Sequence, residues 1–211
     1  MDTMRKMNMM RFLMVLIWLL MIISTVFMGP DASAHTDRHM PVIDYAEYMR
    51  LIHPDTVKYE RERLTVRLTD EVDSFIRTKA PNAPDGLPEC MVRNALGSGI
   101  DLCFMMAQAS AETNFGTCGQ GRRQGGRSLF GVAGRRYGRY EDAVRDWCRL
   151  IGARYLTGGR TEKDLMVRFE TKGGSRYAAD AAYEKKLRRI YDVIHASTEI
   201  RDLQARILDM S

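Results

Sequence analysis

The chain has 211 residues, of which 28% are charged and 45% hydrophobic, proportions that are ordinary for a globular protein. Its net charge of +5 allows attraction to anionic surfaces, but it is too mild to specify nucleic-acid binding, and no nucleic-acid partner is expected. The sequence contains no internal repeat and no extended low-complexity tract.

Residues 1–34 have the pattern of a secretory signal peptide. Three basic residues precede an uncharged apolar run from Phe12 to Met28, and Ala32-Ser33-Ala34 supplies a small-x-small cleavage site. We expect cleavage after Ala34 and a periplasmic or secreted protein. An uncleaved membrane anchor formed by residues 12–28 is the alternative, since a span typically needs about 20 residues. The basic start predicts export in either case.

Residues 35–211 suit a single domain. All four cysteines lie in this exported part, which predicts two disulfides with three possible connectivities; buried free thiols are the alternative. They are Cys90, Cys103, Cys118 and Cys148. Because no CxxC pair is present and no histidine lies near them, we expect no zinc site, and we find no metal or cofactor motif.

The first half of the exported part reads as a series of helices. Apolar residues at helical spacing mark residues 55–78, and clusters of Gly and Pro at 80–86 and of Gly and Ser at 97–99 separate the segments. A flexible junction is predicted at 35–41, and helices are predicted at 42–51, 55–78, 87–96 and 100–113.

The helix predicted at 100–113 ends in a carboxylate. Leu102, Met105, Ala109 and Glu112 share one face, and Gly116 provides a helix stop. Burial and the negative end of the helix dipole both disfavour the ionised form of an acid, so Glu112 is predicted to stay protonated near neutral pH. A general acid needs that state. The alternative is an exposed Glu, or one paired with an Arg.

Residues 117–140 change in character, and we predict a loop with a small β-hairpin there. The segment holds six arginines and no acidic residue, which indicates either a solvated loop or one wall of a cleft that meets an anionic polymer. Tyr137 and Tyr140 are candidates to stack on sugars, or they are packing residues. The arginines are Arg122, Arg123, Arg127, Arg135, Arg136 and Arg139.

The remaining sequence predicts helices at 141–157, at 161–171 and from 179 onward, the last of which can run to the C-terminus. The predicted fold is therefore mainly α, a helical domain with one small β-hairpin directly after the helix that ends in Glu112.

Several blocks in this order resemble the lysozyme-like bacterial glucosaminidases, a family that includes flagellar muramidase-type and autolysin domains. Residues 107–116, AQASAETNFG, are similar to the signature around the family's catalytic Glu. Leu129-Phe130-Gly131 with Gly134 resembles its NLFG block, and residues 176–187 resemble its YATDPxYxxKL block. Phe75-Ile76 with Ala80-Pro81 and the segment 140–146 add to the likeness, which spans residues 75–194.

The resemblance implies an exported β-N-acetylglucosaminidase-type hydrolase that cuts the glycan strand of peptidoglycan. Glu112 matches the catalytic acid, and Tyr177 matches a tyrosine that assists in the cleft. Phe130 and Gly131 would shape the cleft floor, and Gln108 would bind near the substrate or serve as a buried structural amide. The implied fold is of the α+β lysozyme-like kind, a helical domain with the small β-hairpin lobe beside the active cleft. The implied organisation is an N-terminal helical extension at 35–74, a catalytic domain at 75–195 and a C-terminal helical tail at 196–211.

The sequence departs from the family pattern at Ser128, at Ala181 and in its second carboxylate. No Asp or Glu occurs between Glu112 and Glu141, so Glu141 or Asp142 would have to serve as the base. Otherwise the substrate's N-acetyl group acts as nucleophile, or Glu112 works alone as in lytic transglycosylases or a muramidase. A non-catalytic peptidoglycan-binding scaffold of a cell-envelope assembly is the hypothesis of a different class.

Overall fold

The computed structural model describes residues 54–132, 135–180 and 182–211, and within them it contains eight α-helices and one π-helical turn. The predicted signal segment, the junction and the helix at 42–51 lie outside these residues. The helices are α1 Pro54–Lys79, α2 Leu87–Ser98, α3 Leu102–Thr113, α4 Gly119–Arg123, α5 Tyr140–Leu150, α6 Glu162–Leu165, α7 Tyr183–Ser197 and α8 Ile200–Asp209, and the π-helix Ile151–Tyr155 continues α5. Within this part of the chain no helix is long and apolar enough to cross a bilayer.

Helix α3 is the centre of the fold and packs against α2, α4, α7 and α8. Every residue from Leu102 to Ala109 is buried, so this helix is covered on all sides. A helix that is apolar all round belongs in the interior, and the predicted buried helix is confirmed. The mainly helical character of the fold is confirmed with it.

The N-terminus of α3 is held by polar side chains from distant segments. Asp101 caps the helix by accepting from Phe104 N at 3.2 Å. Gln204 of α8 accepts from Leu102 N and donates to the Ile100 carbonyl oxygen, both at 2.8 Å. These bonds satisfy backbone groups that a buried helix end would otherwise leave unpaired.

Helices α1 and α8 belong to the same compact unit as the rest of the described residues. The inward stripe of α1, including Leu64 and Leu68, packs against α2 and α8, and α8 buries Leu203 and Ile207. The predicted division between residues 74 and 75 falls inside α1.

The helix predicted at 161–171 is wrong beyond its first turn. A capping box between Thr161 and Asp164 starts α6, but the helix ends at Leu165. Arg160 then donates to the carbonyl oxygens of Arg168 and Glu170, which holds that stretch in a non-helical conformation. The following turn brings Glu170 opposite Arg176 in an isolated bridge.

The predicted long C-terminal helix is interrupted. It begins at Tyr183 and ends at Ser197, where Thr198 is extended with φ −140° and ψ 162°. The hydroxyls of Ser197 and Thr198 donate to carbonyl oxygens four residues earlier, at 2.7 and 2.8 Å. These local bonds compete with the helix ladder and separate α7 from α8.

No strand occurs among the described residues, so the predicted β-hairpin lobe is not seen. The segment after α3 instead forms the short helix α4 and a tight turn at Gly125-Gly126, with φ +62° and +79°. Gly126 N donates to the Gly121 carbonyl oxygen at 2.8 Å. The chain therefore satisfies its backbone groups within one compact loop rather than in a strand pair.

Candidate active site

The carboxylate of Glu112 lies in the last turn of α3, where it is partly buried between α7 and the segment 128–131. Tyr183 donates a hydrogen bond from its hydroxyl to Glu112 Oε1 at 2.5 Å. The other oxygen faces Gly131, since a Cβ atom added to that glycine would lie 2.6 Å from Oε2. Oε2 itself makes no hydrogen bond to any described residue.

Burial raises the pKa of the Glu112 carboxyl above its ordinary value. The hydrogen bond from Tyr183 and the positive charge of Lys186 act in the opposite direction, but burial outweighs them. Lys186 is held at this helix end because its Nζ donates to the Ala111 carbonyl oxygen at 2.6 Å. The direction of this shift is the one that the sequence predicts, and it increases the protonated fraction of Glu112 at a given pH.

The chain turns sharply directly after Glu112. Asn114, Phe115 and Gly116 have φ of 45°, 55° and 85°; the helix ends at Thr113, as predicted, with Asn114 rather than Gly116 as its left-handed C-cap. A positive φ is uncommon for a buried Phe, and such strain collects at functional sites. Gly116 is needed for close packing as well, because an added Cβ would lie 2.8 Å from the Gly126 carbonyl oxygen.

The segment that carries Phe130 and Gly131 is fixed against Glu112 mainly through its backbone. Thr113 Oγ1 donates to the Leu129 carbonyl oxygen at 2.8 Å, and the ring of Phe130 stacks on Trp147 with centroids 4.6 Å apart. Gly131 adopts φ +58°, which glycine allows without strain. Phe130 and Gly131 therefore do lie at Glu112, although the Phe130 side chain belongs to the core.

Tyr177 lies close to Glu112 but does not bond to it. Its hydroxyl donates to the Phe130 carbonyl oxygen at 2.7 Å, and its ring stacks on Phe169 at 4.4 Å. Burial first, and then the negative charge of Glu112, raise the pKa of Tyr177 well above its ordinary value. Tyr177 thus positions the backbone next to Gly131, whereas Tyr183 contacts the carboxylate directly.

Gln108, one turn before Glu112, is completely buried. Its Oε1 accepts from Trp147 Nε1 at 3.0 Å, while its Nε2 makes no hydrogen bond of standard geometry to a described residue. The amide is nevertheless close enough to Tyr177 and Tyr183 to oppose the rise in their pKa that burial causes. Gln108 therefore lies beside the two tyrosines as a buried structural amide.

The hydroxyls of the two other predicted tyrosines bond to groups other than Glu112. Tyr137 donates to Asp146 Oδ2 at 2.8 Å, and burial together with this bond raises the pKa of Tyr137 to about 12. Tyr140 donates to the Asp85 carbonyl oxygen at 2.8 Å, directly over Gly86. Tyr140 therefore joins the start of α5 to the start of α2, while Tyr137 lies among the arginines.

Neither candidate for a second carboxylate interacts with Glu112. Asp142 forms ion pairs with Arg145 and, at 3.6 Å, with Arg139. The charge of Glu141 acts on Cys90 and Tyr140. Within the described residues, no carboxylate forms a hydrogen bond with Glu112 or shifts its pKa.

The four cysteines are free thiols in the structure. Three of them are buried, and burial raises the pKa of Cys90 and Cys148 to about 11 and that of Cys103 to about 12. Cys118 is exposed. Residues 54–132, 135–180 and 182–211 hold no group of three His, Cys, Asp or Glu side chains that could bind a metal.

Sequence reasoning assigned no site role to Tyr183 or Lys186. Both residues fall within the block 176–187, in which the resemblance gives a role to Tyr177 alone. The signal was their spacing: residues three apart on a helix share a face, so both reach the end of α3 together.

Comparisons of the chain with protein-family models, curated proteins and solved structures return no match.

Proposed function

We propose that this protein cleaves the glycan strand of peptidoglycan as a β-N-acetylglucosaminidase-type hydrolase, with Glu112 as the general acid. The observation that carries the proposal is a carboxyl group at the end of a buried helix, partly open to solvent and with a pKa raised by burial. Protonation of the leaving oxygen is the step that such a group serves in glycoside cleavage. The ordered sequence blocks of the glucosaminidase type add independent support.

The two oxygens of Glu112 have different roles in this proposal. Tyr183 occupies Oε1 and fixes the orientation of the carboxyl group. Oε2, beside Gly131, carries the proton to the glycosidic oxygen of the leaving sugar. Tyr177 is a positioning residue, because its bond to the Phe130 carbonyl oxygen holds the backbone on which Gly131 depends.

The mechanism after protonation needs only one enzyme carboxylate. Two-carboxylate glycosidases place the groups about 5–5.5 Å apart for retention or about 6.5–9.5 Å apart for inversion. No described carboxylate forms a hydrogen bond with Glu112 or shifts its pKa, and Asp142 is ion-paired with arginines. This favours attack by the N-acetyl group of the substrate, with Glu112 then acting as base toward water.

The same observation favours a second candidate, a lytic transglycosylase or muramidase that uses Glu112 alone. In the transglycosylase, Glu112 would protonate the leaving oxygen and then take a proton from the muramyl hydroxyl that closes the anhydro ring. The identity of the new chain ends separates the candidates.

The proposed site of action is the cell envelope outside the cytoplasm, reached through the N-terminal segment or an uncleaved anchor at 12–28. A cell-envelope assembly that targets the domain is the proposed partner besides the glycan strands.

Clearing of purified cell walls by matched variants tests the proposal. We expect Glu112→Gln to lower the rate by about 100-fold or more, since general-acid catalysis contributes on that order. The double variant Glu141→Gln/Asp142→Asn should stay within about twofold of wild type, because these groups do not contact Glu112. Binding of walls by the wild type without any clearing would contradict the proposal and support a non-catalytic scaffold.

A further inference from the structure

A pocket of about 630 Å³ near the end of α3 is lined by three guanidinium groups that have no partner among the described residues. Its lining residues are Arg123, Gln124, Gly125, Arg127, Arg136 and Tyr137. Arg135 and Arg139, from the same arginine-rich stretch, instead form ion pairs with acidic residues of α5. The fold therefore neutralises the arginines beside this pocket and leaves those that line it uncompensated.

The walls of the pocket are fixed by the fold. On one side, Gly126 N donates to the Gly121 carbonyl oxygen at 2.8 Å, which closes the turn between Arg123 and Arg127. On the other side, the hydroxyl of Tyr137 is held by Asp146. The guanidinium groups therefore extend from a preformed frame rather than from a free loop.

The pocket adjoins the end of α3. A second hollow of about 520 Å³ shares Gly125 with it and is lined by Gly116 and Thr117. Gly116 follows Glu112 by four residues and packs directly on Gly126. Tyr137, which lines the arginine pocket, also acts electrostatically on Tyr177 beside Glu112, so a polymer bound at Glu112 can extend toward this pocket.

A residue that lines the pocket, Gln124, indicates what kind of anion fits. The side-chain Oε1 of Gln124 is buried and has no hydrogen-bond partner in the described structure. An unsatisfied buried acceptor is costly until a donor reaches it. A guanidinium group can donate two hydrogen bonds to a carboxylate, and an acceptor beside it can take an N–H. The end of a peptide offers both a carboxylate and an N–H, whereas a phosphodiester has no N–H donor.

We propose that this pocket is a subsite for a carboxylate of the peptide attached to the glycan strand, with Arg123 and Arg127 binding the carboxylate and Gln124 accepting a peptide N–H. The identity of this ligand rests on the proposed function. The preference for a peptide carboxylate can be measured without catalysis.

Binding is measured with the full chain carrying Glu112→Gln, so that no substrate is consumed. The probes are a soluble disaccharide-peptide with free carboxyl groups and the same compound with those groups amidated. We expect the free acid to bind about tenfold or more tightly than the amide, and Arg123→Gln/Arg127→Gln to remove that difference. The matched control Arg188→Gln/Arg189→Gln removes the same charge from the exposed surface of α7 and should retain the difference.

A further variant tests the role of Gln124. Gln124→Met keeps the side-chain size but removes the acceptor, so it should weaken binding of the peptide while leaving the weak binding of acetate unchanged. Circular dichroism and thermal unfolding of each variant identify a loss of binding that comes from misfolding. If the arginine variant misfolds, the binding measurement is repeated with Arg127→Lys.

Equal affinity for the free acid and the amide would overturn this subsite, as would tighter binding of a phosphodiester oligomer at the same arginines. A free-acid preference in a protein that cuts no cell wall would instead refute the proposed catalysis and leave the subsite intact.

Discussion

Tyr183 and Glu112 are 71 residues apart in sequence, yet the hydroxyl of one lies 2.5 Å from the carboxylate of the other. The contact joins α7 to the end of α3, the most extensively packed helix pair in the described fold. Because a donated hydrogen bond favours a charged acceptor, Tyr183 lowers the pKa of Glu112 while burial raises it. The protonation state of the site therefore depends on two opposing effects that can be separated by mutation.

Replacing Tyr183 by Phe removes the effect that favours the carboxylate. The pKa of Glu112 should then rise further, and a general acid stays active up to a higher pH when its pKa rises. We expect the alkaline limb of the pH–rate profile to move to higher pH, together with a fall in the maximal rate from loss of orientation. The pH dependence of cell-wall clearing measures both.

The control for this experiment is Tyr191→Phe. Tyr191 also donates to a carboxylate, Asp101 Oδ2 at 2.8 Å, but at the opposite end of α3. It should leave the alkaline limb in place. A limb that stays fixed or moves to lower pH in Tyr183→Phe would contradict the assignment of Glu112 as the group that titrates.

Tyr177→Phe should act differently, since Tyr177 bonds to the Phe130 carbonyl oxygen and does not contribute to the pKa of Glu112. We expect the rate to fall by about tenfold and the stability by about 1 kcal/mol, with the alkaline limb unmoved. Comparison of the pH profiles of Tyr177→Phe and Tyr183→Phe is the measurement. A shift as large as that of Tyr183→Phe would place Tyr177 in direct contact with the acid.

Gly131→Ala tests the close approach of the segment 128–131 to Glu112. The added methyl would meet Oε2 at 2.6 Å, and the positive φ costs about 1 kcal/mol for a residue with a side chain. We expect at least a tenfold loss of activity with a modest fall in melting temperature. Gly138→Ala, where no atom lies within 4 Å of the new methyl, is the control and should behave as wild type. Full activity in Gly131→Ala would show that Oε2 does not need this space.

The stability of Glu112→Gln should depend on pH in a defined direction. Because burial raises the pKa of Glu112 in the folded state, the native protein binds the proton more tightly than the unfolded chain does. Stability is therefore lost as pH rises above the unfolded value of about 4.3, and Gln, which keeps an acceptor for Tyr183, avoids that loss. We expect the variant to be more stable than wild type at pH 7 and to lose this advantage below about pH 4.

Denaturant unfolding at both pH values measures the effect, with the exposed substitution Glu62→Gln on α1 as control. A variant that is less stable than wild type at pH 7 would show that the ionised carboxylate is the favoured form.

Much of the fold is readable from the sequence because burial leaves a periodic signature. The stripe of α1 and the apolar run of α3 identify those helices, and the position of Glu112 at the end of α3 follows from that run and its terminator. The helix prediction for 161–171 is wrong because Arg160 donates to backbone carbonyl oxygens that would otherwise accept hydrogen bonds within a helix. Such a side-chain-to-backbone bond leaves no periodic pattern.

The site is less readable than the fold because its contacts join segments distant in sequence. Tyr183 has the spacing of an ordinary core residue, and only the tertiary structure reveals that its hydroxyl meets Glu112. The same holds for Gly131, since a glycine in a loop does not indicate which atom of another segment packs against it. The six arginines of residues 117–140 separate into paired and unpaired groups only when α5 is in place.

Mass spectrometry of the ends released from purified peptidoglycan tests the central claim most directly, with Glu112→Gln digested in parallel. We predict reducing N-acetylglucosamine ends that appear with the wild type and are absent with the variant. Reducing muramyl ends that depend on Glu112 would identify a muramidase instead of a glucosaminidase. Anhydro-muramyl ends that depend on Glu112 would identify a lytic transglycosylase. Products that appear equally with Glu112→Gln, or no products at all, would contradict the assignment of Glu112 as the catalytic acid.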